Sequence, residues 1–138
     1  MNVLELEADR ALFEGKIEGL AVTCYANQRP LSGLVGLLDW RFNGAISEYV
    51  RSGAVTGKTG EICYLPLSRR NRVFHVLLLG CGNLDKQKKI PEEILTVLQK
   101  NLSSLQIQNI GISKSDFGNV SDDYFLKHLK GSPVWVLP

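Results

Sequence analysis

Hydrophobic positions change their period along the chain, and each change marks an element. Near the start, Leu4 and Leu6 alternate with Glu5 and Glu7. Period two predicts a strand over residues 3–7 with one wet face, at a sheet edge. Residues 20–26 are continuously apolar or β-favouring, which predicts a strand covered on both faces. Asn27-Gln28-Arg29-Pro30 reads as a turn. From Leu34 to Val50 the period lengthens. Val35, Leu38, Phe42, Ile46, Tyr49 and Val50 recur at three or four residues and form one helical face. Asn43-Gly44 interrupts this face, so the segment is one bent helix or two short ones. Gly53 ends it, as glycine does after a helix.

The second half repeats the two periods. A loop at residues 56–60 leads to a strand at 61–67. Residues 68–71 are a polar turn. Residues 73–79 are the most apolar strand and are expected at the sheet centre. They stop at Gly80-Cys81-Gly82-Asn83. Pro91-Glu92-Glu93 opens a helix whose core face is Ile94, Val97, Leu98, Leu102 and Leu105. Residues 107–112 read as a strand. Ser121 caps a last helix carrying Phe125, Leu126 and Leu129, and Gly131-Ser132-Pro133 stops it. Residues 134–137 close as a strand. The order β-β-α-β-β-α-β-α-β predicts a three-layer α/β/α sandwich with a mixed β-sheet.

The length of 138 residues fits a single domain. Lys and Arg number 16 against 14 Asp and Glu, a net charge of +2, so bulk charge argues against nucleic acid as a partner. No apolar run approaches the ~20 residues of a membrane span, and the acidic start is unlike a secretory leader. Cys24, Cys63 and Cys81 are an odd count, each inside an apolar stretch. That argues for reduced thiols in the cytoplasm rather than a disulfide framework.

Several segments invite a chemical reading. Gly53 to Thr59 imitates a phosphate-binding loop, but only three residues separate Gly53 from Gly57, and the loop runs from a helix into a strand. Gly80-Cys81-Gly82 follows a strand, where ligands often dock, yet residue 85 is Asp where a third glycine is needed. A tight strand exit outweighs a ligand contact there. His75 lies in an apolar strand and His128 beside Lys127 and Lys130. Neither has metal-ligand spacing, so no metal or other cofactor is expected. A reactive Cys81 is the minor reading against inert filling. Arg69, Arg70, Arg72, Lys86, Lys88 and Lys89 make one stretch basic, while residues 1–18 carry five acids and two bases. The two halves of the basic stretch flank opposite ends of one strand, which disfavours a single DNA-binding patch.

Four features in order resemble one known family. They are the buried strand 20–26, then Leu38-Asp39 with Gly44-Ala45-Ile46, then Gly57-Lys58-Thr59-Gly60-Glu61. Last comes Arg72-Val73 leading into Leu77-Leu78-Leu79-Gly80-Cys81-Gly82. Together they resemble the N-terminal domain of the leucyl aminopeptidase family, the cytosol aminopeptidases or M17 peptidases. The resemblance implies a macro-domain-like fold. It implies no peptidase activity, because that family's two metal ions, catalytic lysine and carboxylates belong to a separate C-terminal domain. No residue here receives a catalytic role by carry-over. In the family this domain supports oligomer assembly, and in some bacterial members it helps contact DNA.

The leading expectation is therefore a non-catalytic interaction, regulatory or oligomerisation module, with a protein partner or a second copy as its target. The alternative is a binding module for a small anionic ligand, nucleotide-like or ADP-ribose-like, at the strand carboxyl ends. Its site would be Gly57, Lys58, Gly60, Gly80, Gly82 and Asn83, with Lys58 as the cation. A weak DNA contact is the third reading.

Overall fold

The structure is a computed structural model that describes residues 2–84, 93–118, 121–129 and 133–138. Its elements are β1 (Asn2–Val3), α1 (Ala8–Phe13), β2 (Gly19–Cys24), α2 (Gly33–Arg41), α3 (Ala45–Arg51), β3 (Ile62–Arg69) and β4 (Arg72–Gly80). They continue with α4 (Ile94–Leu105), β5 (Ile110–Ser113), a 3-10 turn (Lys114–Phe117), α5 (Asp122–Leu129) and β6 (Trp135–Leu137). The sheet order is β1-β6-β5-β2-β4-β3, parallel throughout except for the β3–β4 hairpin.

Alternation along the strands splits the core in two. Leu20, Val22, Cys24, Val76 and Leu78 face one cluster with Leu12 of α1, Val35 and Leu38 of α2, and Ile46 of α3. Ala21, Leu77, Leu79, Ile110 and Ile112 face the other, with Ile94, Leu95 and Leu98 of α4 and Phe125 and Leu129 of α5. Strands buried on both faces read as unbroken apolar runs, which is why β2 and β4 stand out in the sequence. The mixed sheet between two helical layers is the α/β/α sandwich the sequence predicts.

Four expectations are refined. Residues 73–79 are interior but not central: β2 and β5 hold the middle, and β3 flanks β4 outside. Burial on both faces reports the layers above and below a strand, not its rank in the sheet. The first strand lies at the edge as expected, yet only Asn2–Val3 belong to it. The α2–α3 segment is two helices, split at Asn43 (φ 58) and Gly44 (φ 82). The fifth strand starts at Ile110 because Asn109, with φ 54, cannot extend it. Helix α1 was not foreseen. It has six residues, and its buried face is only Ala8, Ala11 and Leu12.

The polar turn at residues 68–71 is a two-residue hairpin turn, with Arg70 at φ 52 and Asn71 at φ 63. Paired positive φ values match the twist of the flanking strands. On the exposed side of β3, Pro66 has no N–H to offer another strand, which blunts this edge. The expected helix opening at Pro91 and Glu92, the stop at Gly131 and Ser132, and the lysines Lys86, Lys88 and Lys89 lie outside the described residues.

Candidate functional site

The loop 57–61 and the exit from β4 do come together, and most of their backbone donors are used inside the protein. Gly60 N–H donates to the Gly80 carbonyl at 3.1 Å, Gly80 N–H to Glu61 at 2.6 Å, and Gly82 N–H to Gly57 at 2.8 Å. Ala26 N–H donates to the Gly82 carbonyl at 2.8 Å, which ties in the end of β2. A Cβ at Gly80 would lie 2.0 Å from the Lys58 carbonyl oxygen. One at Gly57 would lie 2.7 Å from Ala26 N, and Gly57 also has φ +78. These glycines let three backbone segments pack without side chains between them. Lys58 and Asn83 are exposed.

The anion hole of this loop already holds an anion. The Glu61 carboxylate accepts the N–H of Thr56 at 2.9 Å, the Thr56 hydroxyl at 2.5 Å and the N–H of Gly57 at 3.2 Å. Burial of the carboxyl opposes ionisation, but these bonds outweigh it and lower its pKa. So the Gly-Lys-Thr-Gly-Glu run works as a loop and its own cap.

A separate cleft opens beside it, at the carboxyl ends of β2 and β5. It is lined by Thr23, Tyr25, Gln28, Ser32, Gly33, Leu34, Leu84, Ser115, Asp116 and Gly118, with a volume of ≈ 320 Å³. The chain leaves β2 toward β4 on one side and returns to β5 on the other, so the cleft sits where the strand order reverses. Ligands of open α/β sheets dock in this place. The first residues of α2, Gly33 and Leu34, form one wall. Their end of the helix dipole is positive and favours an anion.

The opposite wall carries a carboxylate. Asp116 accepts the Thr23 N–H at 2.7 Å and the Thr23 hydroxyl at 2.9 Å. Burial pushes its pKa up to about 6, against the pull of the Thr23 bonds. A carboxyl held partly out of water at some energetic cost marks candidate functional sites. The 3-10 turn creates the position, carrying Asp116 back over β2 while Phe117 anchors in the core. Thr23 and Asp116 are 93 residues apart, so no local motif announces them. The one available signal was an acid and a glycine, Asp116 and Gly118, just beyond a strand.

Among the described residues no group of three or more His, Cys, Asp or Glu could hold a metal ion. His75 pairs with Tyr64, Nδ1 to hydroxyl at 2.6 Å, on the half-covered outer part of the β3–β4 hairpin. The thiols are poor nucleophiles. Burial raises the Cys81 pKa to about 12, and burial plus the hydrogen bond to Glu61 raises Cys63 to about 11. Native protein at pH 8 should therefore alkylate about a hundredfold more slowly than free cysteine, read by mass spectrometry with iodoacetamide. Rapid labelling of Cys81 would contradict this geometry.

Residues 21–129 match the cytosol aminopeptidase family, N-terminal domain. The chain belongs to this family. A probable cytosol aminopeptidase of Mannheimia succiniciproducens is 30% identical over 98 residues, which is 70% of this chain and 18% of that protein. The chain thus matches less than a fifth of that relative's length. Among solved structures, the macrodomain of Thermus aquaticus DarG superposes with a TM-score of 0.70 at 17% identity, covering 99% of this chain and 97% of that one. Thermosipho africanus DarTG in complex with ADP-ribose gives a TM-score of 0.69 at 15% identity, covering 100% and 42%. The family's N-terminal domain here has the macrodomain fold, as the resemblance implies.

Proposed function

We propose that this cytosol aminopeptidase N-terminal domain works by binding rather than catalysis, and that its β2–β5 cleft is a small-ligand site. The observation that carries this reading is the pairing of two unlike walls at the strand-order reversal. The start of α2 favours an anionic group, and Asp116 favours a hydrogen-bond donor such as a base amine or a ribose hydroxyl. A nucleotide or an ADP-ribose-like molecule presents both. The similarity to a DarTG structure holding ADP-ribose is in keeping with this choice. Calorimetric titration with ADP-ribose and AMP tests it. One saturable site is expected, with affinity at least about tenfold lower in Ser32→Glu, which sets a second carboxylate against the ligand's phosphates. Absence of binding at millimolar concentration of both ligands would sink the reading.

A second reading rests on a different surface. Trp40 is 73% exposed and Leu37 40% on the outer face of α2, with Tyr49 of α3 at 38%. A large exposed indole suits a protein partner or a second copy. Light scattering and a pull-down, each repeated with Trp40→Ser, test it. A strict monomer that retains no partner speaks against it.

A further inference from the structure

A smaller pocket lies at the far end of the sheet from the cleft. Phe13, Arg69, Arg70, Arg72 and Phe74 line it, with a volume of ≈ 110 Å³. Arg69 and Arg72 face each other across the hairpin, and the tight Arg70–Asn71 turn holds all three arginines at one corner. The Arg69 guanidinium lies 4.9 Å from the Phe13 ring centre, and Arg41 lies 4.6 Å from the same ring. Arg72 lies 4.8 Å from the Phe74 ring, and its Nη1 donates to the Phe13 carbonyl at 3.1 Å. Phe13, Phe42 and Phe74 themselves pack with ring centres 5.1 to 5.7 Å apart.

Three guanidinium groups, those of Arg41, Arg69 and Arg72, therefore gather on one aromatic cluster, and Arg70 lines the same pocket. The described ion pairs of the protein, Arg10–Glu14 and Arg51–Glu48, involve none of them. Arg41 Nε is buried without a hydrogen-bond partner. Ring faces stabilise each cation, but they do not offset the mutual repulsion of several. The cluster has cations, spare donors and a concavity, and among the described residues it lacks a counter-ion.

We propose that this corner is an oxyanion site that grips the phosphate monoester group of a small molecule through Arg69, Arg70 and Arg72. Forked guanidinium donors match phosphate oxygens in pairs. The volume is well below the ~300 Å³ of a whole-ligand pocket, so the pocket takes a group and leaves the rest of the molecule outside. An extended polyanion fits less well. The adjoining segment carries Glu14 and Glu18, and the net charge of the chain is only +2. This site is independent of the cleft and shares no residue with it.

Differential scanning calorimetry with ribose 5-phosphate, inorganic phosphate and a ten-nucleotide single strand tests the assignment, each against chloride at equal ionic strength. Ribose 5-phosphate at ten times its Kd should raise Tm by about 4 °C. Arg70→Gln, on an exposed turn residue, should weaken this binding about tenfold. Arg69→Gln combined with Arg72→Gln should abolish it, and Lys58→Gln should leave it unchanged. The proposal is overturned if chloride matches the phosphate effect, or if Arg70→Gln protein responds as the native protein does. Tighter binding of the oligonucleotide than of ribose 5-phosphate would also overturn it, in favour of a nucleic-acid contact.

Discussion

Gly80→Ala should cost about 3 kcal/mol and lower Tm by about 10 °C. The new Cβ would sit 2.0 Å from the Lys58 carbonyl oxygen and 3.0 Å from the Glu61 Cβ and carbonyl oxygen. None of these is the free end of a flexible side chain. Lys58 oxygen is held by the Glu61 N–H at 2.9 Å, and Glu61 oxygen by the Gly80 N–H at 2.6 Å. The clash therefore has to move backbone, and with it the cap that Glu61 places on Thr56 and Gly57. Thermal unfolding measures the loss. The substitution should also speed alkylation of Cys63, whose thiol bonds to Glu61 at 3.3 Å. A Gly80→Ala protein with native Tm would show that the loop is not packed backbone to backbone.

The second large effect is linked to pH. The folded protein holds the Asp116 proton more tightly than the unfolded chain, since burial lifts the pKa from 3.8 to about 6. Between about pH 4 and pH 6 the native state thus binds more protons than the unfolded state, and stability falls as pH rises through that window. Above it the ionised carboxylate remains a standing cost. Two units correspond to about 3 kcal/mol, and partial contact with solvent brings this nearer to 2 kcal/mol. Asp116→Asn removes the titration and keeps the shape. Its amide oxygen can accept the Thr23 N–H, and its amino group can donate to the Thr23 hydroxyl. The variant should match the native protein at pH 4 and exceed it by about 2 kcal/mol at pH 7.5 in denaturant unfolding. Parallel stability curves across this range would contradict the assignment.

Both effects arise from features the sequence disclosed unequally. The buried strands were legible because β2 and β4 are apolar on both faces, and the hairpin because the polar Ser68–Asn71 separates β4 from the half-exposed strand before it. Helix α1 was not, since three buried positions in six residues carry too little periodicity to register. The glycines at positions 57, 60, 80 and 82 were legible as a group, because glycine marks either a close approach, as at Gly57 and Gly80, or a positive φ, as at Gly60. What approaches was not legible: a phosphate and a neighbouring peptide segment ask the same thing of the sequence. Here Glu61 and the exits of β2 and β4 fill the space. The cleft was hidden for another reason. Thr23 and Asp116 meet only because β5 pairs with β2, and that pairing is a property of the whole sheet.

Backbone amide shifts during an NMR titration with ADP-ribose test most directly where a ligand goes. If the cleft is the site and the glycine loop a structural fastening, the largest changes fall on Thr23, Gly33, Leu34, Ser115 and Asp116. The amides of Gly57, Gly60, Gly80 and Gly82 then stay within their noise. Largest changes at those four glycines, or no change anywhere at millimolar ligand, would contradict it.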